Sequence, residues 1–111
     1  MKLLFLSTIL LASILEFFGD ASFKTFARTN NYSILSGGLF IYAMMIAVII
    51  SILRYSNVIY MNTQWDAVSI IVEATLGYIL LGERITNVYQ LSGIGLIIIG
   101  VILMNIGTIP L

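Results

Sequence analysis

The sequence has no cysteine and no histidine, and its only proline is Pro110. These absences exclude disulfides, thiolate chemistry and the usual zinc sites. Charged side chains are also scarce: they make up 9% of the 111 residues, and the formal net charge is zero. A neutral chain has no electrostatic attraction for nucleic acid. Because no segment resembles a phosphate-binding loop or a nucleophile with its base, we expect neither an enzyme nor a bound cofactor or metal ion.

Hydrophobic residues make up 60% of the chain. A soluble domain carries about 25% charged residues, and a soluble fold of this composition would expose larger apolar patches than monomers tolerate. The apolar runs are continuous rather than alternating, which argues against membrane β-strands. Since each membrane-spanning helix needs about 20 apolar residues, the length predicts an all-α bundle of four transmembrane helices.

Turn residues divide the apolar sequence into helices predicted at residues 3–27, 34–54, 58–81 and 88–107 of a single domain. The first run resembles the charged and apolar parts of a signal peptide. No small-residue cleavage site follows it, so we expect the first helix to be retained.

Positive charges barely distinguish the two sides of the membrane. Lys2 and Arg54 fall on one side, whereas Lys24, Arg28 and Arg84 fall on the other. Because the Lys and Arg excess sets orientation, the chain is expected to insert both ways. Dual topology permits an antiparallel pair of identical subunits.

Glu16 lies well inside the first helix, where an ionisable group is costly unless it is paired, hydrated or neutralised. Ser13, Gly19 and Asp20 lie at helical spacing from it and form a small, polar face with room for a ligand. We therefore predict that Glu16 binds protons or substrate. The alternative is a carboxyl group that only bonds a neighbouring helix.

A second polar stripe follows the third helix, where Asn62, Asp66, Ser69, Glu73 and Gly77 are spaced by three or four residues. This spacing places them on one helix face. No basic residue lies at membrane depth to pair with the acids, so the stripe should face the bundle interior or a water-filled cavity. Hydrogen bonding between helices is the alternative.

A cavity lined by these carboxylates together with Trp65 and Tyr42 would suit an organic cation, since aromatic ring faces attract ammonium and guanidinium groups. A carboxyl group that releases a proton when the cation arrives, and rebinds it afterwards, is the minimum machinery for proton-coupled exchange. Both aromatic residues have an alternative role in packing or at the membrane interface.

Glycines recur every seven residues in the fourth helix, at Gly93, Gly100 and Gly107. Small residues on one seam let helices approach closely in lipid. The pattern predicts a surface for association between subunits, with packing inside one bundle as the alternative.

Three motifs together resemble a known family. They are Glu16-x-x-Gly19-x-x-x-x-Lys24, Tyr42, and Trp65 followed seventeen residues later by Gly82-Glu83-Arg84. Over nearly its whole length the chain resembles the small multidrug resistance family of the drug/metabolite transporter superfamily.

The resemblance implies a four-helix protein that works as an antiparallel homodimer in the plasma membrane and exports cationic compounds in exchange for protons. Glu16 would be the carboxylate that protons and substrate share. Trp65 and Tyr42 would line the substrate chamber, and the fourth helix would form much of the dimer contact.

The chain also departs from the family pattern. Asn62 replaces a usual tyrosine, Asp66 replaces a small residue, and Ala67 and Ser69 replace a Gly-x-Gly that lets the helix kink. An acid directly after the tryptophan is similar to one subunit of the family's spermidine-export pair. A polyamine or guanidinium exporter, a heterodimer subunit and a non-transporting assembly or regulatory subunit therefore stay open.

Overall fold

The computed structural model describes residues 2–108, and within them all regular secondary structure is α-helical. The helices are α1 (Lys2–Thr29), α2 (Tyr32–Leu53), α3 (Val58–Leu81) and α4 (Val88–Thr108). The predicted all-α class and the four helices are confirmed. All four helices are long and apolar enough to cross a membrane. The chain is thus a multi-pass integral membrane protein.

Polar residues in short turns set where the helices begin and end. Asn31 and Asn57 cap α2 and α3, and their side chains accept hydrogen bonds from backbone N–H groups of Ser33 and Tyr60. Such caps satisfy donors that a helix start leaves unpaired. The α3 helix ends at Gly82 with φ of 68°, a left-handed conformation that glycine adopts without a Cβ clash.

The first helix, α1, lies at the centre of the bundle and packs along both α2 and α3. A core cluster of Ile9, Ile52 and Met61 joins these three helices. The fourth helix is peripheral, because α4 contacts only α3 among the described residues. No residue in the range 88–106 is buried. One wall of the bundle is therefore incomplete in a single subunit.

Polar side chains tie α4 to α3 near one end of the bundle. Asn105 donates a hydrogen bond of 3.0 Å from Nδ2 to Gln64 Oε1, and its Oδ1 accepts one of 3.2 Å from the Tyr60 hydroxyl. Hydrogen bonds of this kind hold helices together in lipid, where burial of apolar surface gives little preference for one neighbour over another.

Two buried glycines allow close contact between α1 and α2. A Cβ atom on Gly19 would collide with the ring of Tyr42, and one on Gly38 would lie 2.7 Å from Cε1 of Phe23. The small-residue contact in this subunit thus lies between α1 and α2, a contact that the sequence did not predict.

We expect Gly38→Ala to lower the midpoint of thermal unfolding in detergent. Its methyl group must displace the Phe23 ring and would also lie 3.0 Å from Cβ of Ser22. Overpacking costs about 1–3 kcal/mol, which exceeds the gain of about 0.5–1 kcal/mol from replacing a helical glycine with alanine. Gly37→Ala is the matched control, because its Cβ would meet no atom within 4 Å. Equal midpoints for the two variants would contradict the prediction.

Candidate functional site

A cavity of about 500 Å³ lies at the middle of the bundle between α1, α3 and α4. We call it the acidic chamber, because three carboxyl groups and, among the described residues, no basic side chain line it. Its lining residues are Glu16, Thr63, Asp66, Ser69, Ile70, Glu73, Ile97, Gly100, Val101 and Met104. The chamber is open on one side rather than enclosed, and Asp66 is exposed there.

Glu16 reaches from α1 to α3. The Ser69 hydroxyl donates a hydrogen bond to Glu16 Oε1 and lies 3.2 Å from the hydroxyl oxygen of Ser13. Ser13 is completely buried. The hydrogen bond from Ser69 orients the Glu16 carboxyl group, and a hydrogen-bonded carboxyl group in a fixed position can hold either a proton or a cation.

Carboxyl groups from two helices meet beside the chamber. One oxygen each from Glu16, Asp20 and Glu73 lies within 4.8 Å of the others. We call these three residues the carboxyl cluster. Repulsion between like charges at this separation favours the presence of a proton or a cation among them. Carboxylate oxygens are also ligands for Mg²⁺ and Ca²⁺, which complete their coordination with backbone carbonyl groups and water.

A second cavity, of about 240 Å³, lies on the side of the cluster nearest the α3–α4 turn. We call it the loop-end crevice. Its lining residues are Phe17, Asp20, Ala21, Lys24, Glu73, Leu81 and Glu83. Lys24 and Glu83 form an ion pair there. Glu73 lines both the crevice and the acidic chamber, whereas Glu16 lines only the chamber and Asp20 only the crevice.

Four of the predicted site residues share the chamber wall: Glu16, Asp66, Ser69 and Glu73. The α3 stripe brings its three members there because they share one helix face. The wall residues that were not predicted are Thr63, Ile70, Ile97, Val101 and Met104. Gly100 was predicted, but as part of a surface for association between subunits. The signal is positional for Thr63 and Ile70, which lie three and four residues from Asp66, and absent for the apolar residues of α4.

Both predicted aromatic residues lie outside the chamber lining. The Tyr42 hydroxyl donates a hydrogen bond to Asp20, and its ring centroid lies 5.1 Å from that of Phe23. Trp65 packs against the core cluster, and its buried Nε1 has no hydrogen-bond partner among the described residues. Within this subunit, carboxyl groups and no aromatic rings line the chamber among the described residues.

The other predicted positions are distributed along the bundle. Asn62 is exposed and lines neither cavity, and Gly19 packs against Tyr42. Gly93 and Gly100 have open space where a Cβ would stand, and Gly100 also belongs to the chamber wall. Gly107 falls in the last turn of α4, and its surroundings lie outside the part of the chain that the structure describes.

Together, fold and site define a class: a four-helix integral membrane protein with an acidic chamber at the middle of its bundle. No protein-family model, no curated protein and no solved structure matches the chain.

Proposed function

We propose that the protein is a proton-coupled antiporter that exports small organic cations across the plasma membrane, as a member of the small multidrug resistance family that its motifs resemble. One observation carries the proposal. A chamber within the membrane-spanning bundle has three carboxyl groups in its wall, and the part of the chain that the structure describes places no basic residue there. Ionisable residues at such depth mark substrate and proton pathways.

Exchange follows from the chemistry of this wall. In the absence of lysine or arginine, the carboxyl groups must be neutralised by protons or by a bound cation. A cation that binds Glu16 displaces a proton, and a proton that returns displaces the cation. Because each species leaves when the other enters, the two fluxes run in opposite directions.

The transporter works as an antiparallel homodimer in this proposal. The peripheral position of α4 and the open side of the chamber support this, because a second subunit would cover both. Two inserted orientations, which the balanced Lys and Arg distribution permits, would give inward-open and outward-open forms of similar energy.

We expect Gly93→Leu to weaken self-association, because the leucine side chain would separate α4 from the helix of a second subunit. Gly95→Leu is the matched control: it also meets no atom within 4 Å, but it lies about 200° around the helix from Gly93. Chemical crosslinking in liposomes should show fewer dimers for Gly93→Leu and a wild-type fraction for Gly95→Leu. Unchanged crosslinking of Gly93→Leu would show that the Gly93 face of α4 is not part of the interface.

Purified protein in liposomes tests the function directly. A pH gradient is imposed, and the movement of radiolabelled organic cations is followed together with the internal pH. We expect the cation to move against the proton flow and to collapse the gradient. A cation flux without proton movement would make the protein a channel or a uniporter. No flux for any mono-, di- or polyamine would favour the non-transporting alternative.

The acidity of the wall favours a second candidate, export of cations with more than one positive charge. Asp66 and Glu73 add two carboxyl groups to that of Glu16. They are separated by seven residues of α3, which is about 10 Å along the helix axis. A polyamine carries charges spaced along a chain, so it can contact several of these groups at once.

A further inference from the structure

We propose that protons reach Glu16 by a route of their own, from the α3–α4 turn through the loop-end crevice and along Asp20 and Glu73. The organic cation, in contrast, enters and leaves through the acidic chamber. The inference rests on the proposed antiport function. It assigns Asp20 and Glu73 as proton carriers and separates the path of the proton from that of the substrate.

The acidic chamber and the loop-end crevice share a lining residue. Glu73 lines both cavities, with Glu16 on its chamber side and Asp20 on its crevice side. A carboxyl group in this position is the only one of the three that contacts both spaces among the described residues. It can therefore connect them for a proton without opening a passage for a larger molecule.

Distances within the carboxyl cluster suit proton transfer. The oxygens of Glu16, Asp20 and Glu73 lie within 4.8 Å of one another, and one water molecule with two hydrogen bonds of about 2.8 Å spans such a gap. In each step, one O–H bond breaks on the donor and one forms on the next oxygen. A hydronium ion at the mouth of the crevice gives up the first proton and is left as water, so no other reactant is needed.

The crevice admits a large cation less readily than the chamber does, because its volume is about 240 Å³ against about 500 Å³. Lys24 follows Asp20 by one turn of α1, about 6 Å along the axis, and is ion-paired with Glu83. Both residues of this ion pair line the crevice, so an organic cation that entered here would have to displace Lys24 from Glu83. A proton moves by transfer between water molecules and carboxyl groups, so it does not need to displace this side chain.

Asp20 has one further partner, which gives it an alternative role. The Tyr42 hydroxyl of α2 donates a hydrogen bond to it, while Glu16 and Glu73 face it from α1 and α3. Asp20 could thus serve only to hold α2 against α1. A test must separate this positioning role from proton passage.

The Asp20→Asn variant separates positioning from proton passage when two transport reactions are measured in the same liposomes. Net transport driven by a pH gradient requires protons at Glu16, whereas exchange of labelled for unlabelled cation at equal pH does not. Asparagine keeps an oxygen that accepts the Tyr42 hydrogen bond, but it cannot carry a proton. We expect net transport to fall by about tenfold or more and exchange to stay within about twofold, since a positioned proton-transfer group contributes roughly 10²–10⁴ in rate.

Three control variants complete the design. Tyr42→Phe removes the hydrogen bond to Asp20 without removing a carboxyl group, so it should leave the ratio of net transport to exchange unchanged. Asp66→Asn alters only the chamber wall, so with a diamine as the substrate it should lower both reactions together. Asp20→Glu retains a carboxyl group and should restore net transport.

Each outcome bears on the route. An equal loss of both reactions in Asp20→Asn, or a selective loss of net transport in Tyr42→Phe, would overturn it. If Asp20→Asn does not fold, Lys24→Gln is decisive: cations gain access to the crevice, and the number of protons moved per cation must fall. If Lys24→Gln moves as many protons per cation as the wild type, the route is contradicted. A wild-type protein that performs neither reaction would instead refute the antiport function itself.

Discussion

Glu16→Gln is expected to reduce proton-driven cation transport at least about 100-fold, to the level of empty liposomes. Glutamine has nearly the same shape as glutamate, and its amide oxygen still accepts the hydrogen bond from Ser69. It cannot release a proton, however, and it offers no negative charge to a cation. The measurement is uptake of a labelled cation against a pH gradient, with protein content matched between samples.

Ser69→Ala is the companion variant for this prediction. It leaves the carboxyl group of Glu16 in place but removes its hydrogen-bond donor from α3. Hydrogen bonds to charged groups contribute about 1.5–3 kcal/mol, so transport should weaken without vanishing. Wild-type flux in Glu16→Gln would rule out Glu16 as the exchange site. A wild-type protein that moves no cation, with Glu16→Gln disrupting its assembly, would favour a role in holding helices together.

The sequence predicted the helices because their signals are local. Continuous apolar runs mark the spans, and Asn31, Asn57 and Gly82 lie at helix ends where capping residues are common. The chamber was predictable to the same degree. An acid in a membrane-spanning helix is expected to face the bundle interior or a water-filled cavity, and Asp66 and Glu73 share one cavity wall with Glu16. Asp66 lies exposed at the open side of that cavity.

Helix orientation was harder to predict where side chains are apolar or aromatic. In a soluble helix, burial separates apolar from polar faces, but in a membrane both the lipid and the interior are apolar. Packing was the alternative role for both aromatic residues, but nothing in the sequence indicated that Trp65 would pack against the core cluster or that Tyr42 would lie over Gly19. Trp65 directly precedes Asp66 and therefore lies about 100° around α3 from it. This places Trp65 outside the chamber wall.

The ion pair of Lys24 with Glu83 shows a second limit. These residues are 59 positions apart, and each has charge typical of a helix end at the membrane surface. Both belong to motifs that carry the family resemblance, but a motif does not specify which residues touch. Their contact depends on how α1 packs against α3, which local sequence signals do not determine.

Asp66→Asn is expected to weaken the binding of diamines and polyamines far more than that of monovalent amines. A monovalent cation can be neutralised by Glu16 alone, but a second positive charge needs a second carboxylate. An opposite charge about 6 Å away contributes about 2–3 kcal/mol at an effective dielectric constant of about 20, which corresponds to roughly 30–150-fold in affinity. Calorimetric titration of purified protein with a series of mono-, di- and triamines measures this difference.

Thr63→Val provides the control for that series. Thr63 lines the same wall as Asp66, and valine has nearly its shape, so the variant changes the polarity of the chamber without changing its charge. It should weaken all amines by a similar factor. A loss in Asp66→Asn that is equal for mono-, di- and triamines would show that Asp66 does not count the charges of the substrate. A loss of affinity that grows with each added amine would mean that the extra carboxyl groups select a multiply charged cation. Among the described residues of the wall, only carboxyl groups carry the negative charge that a second ammonium group needs.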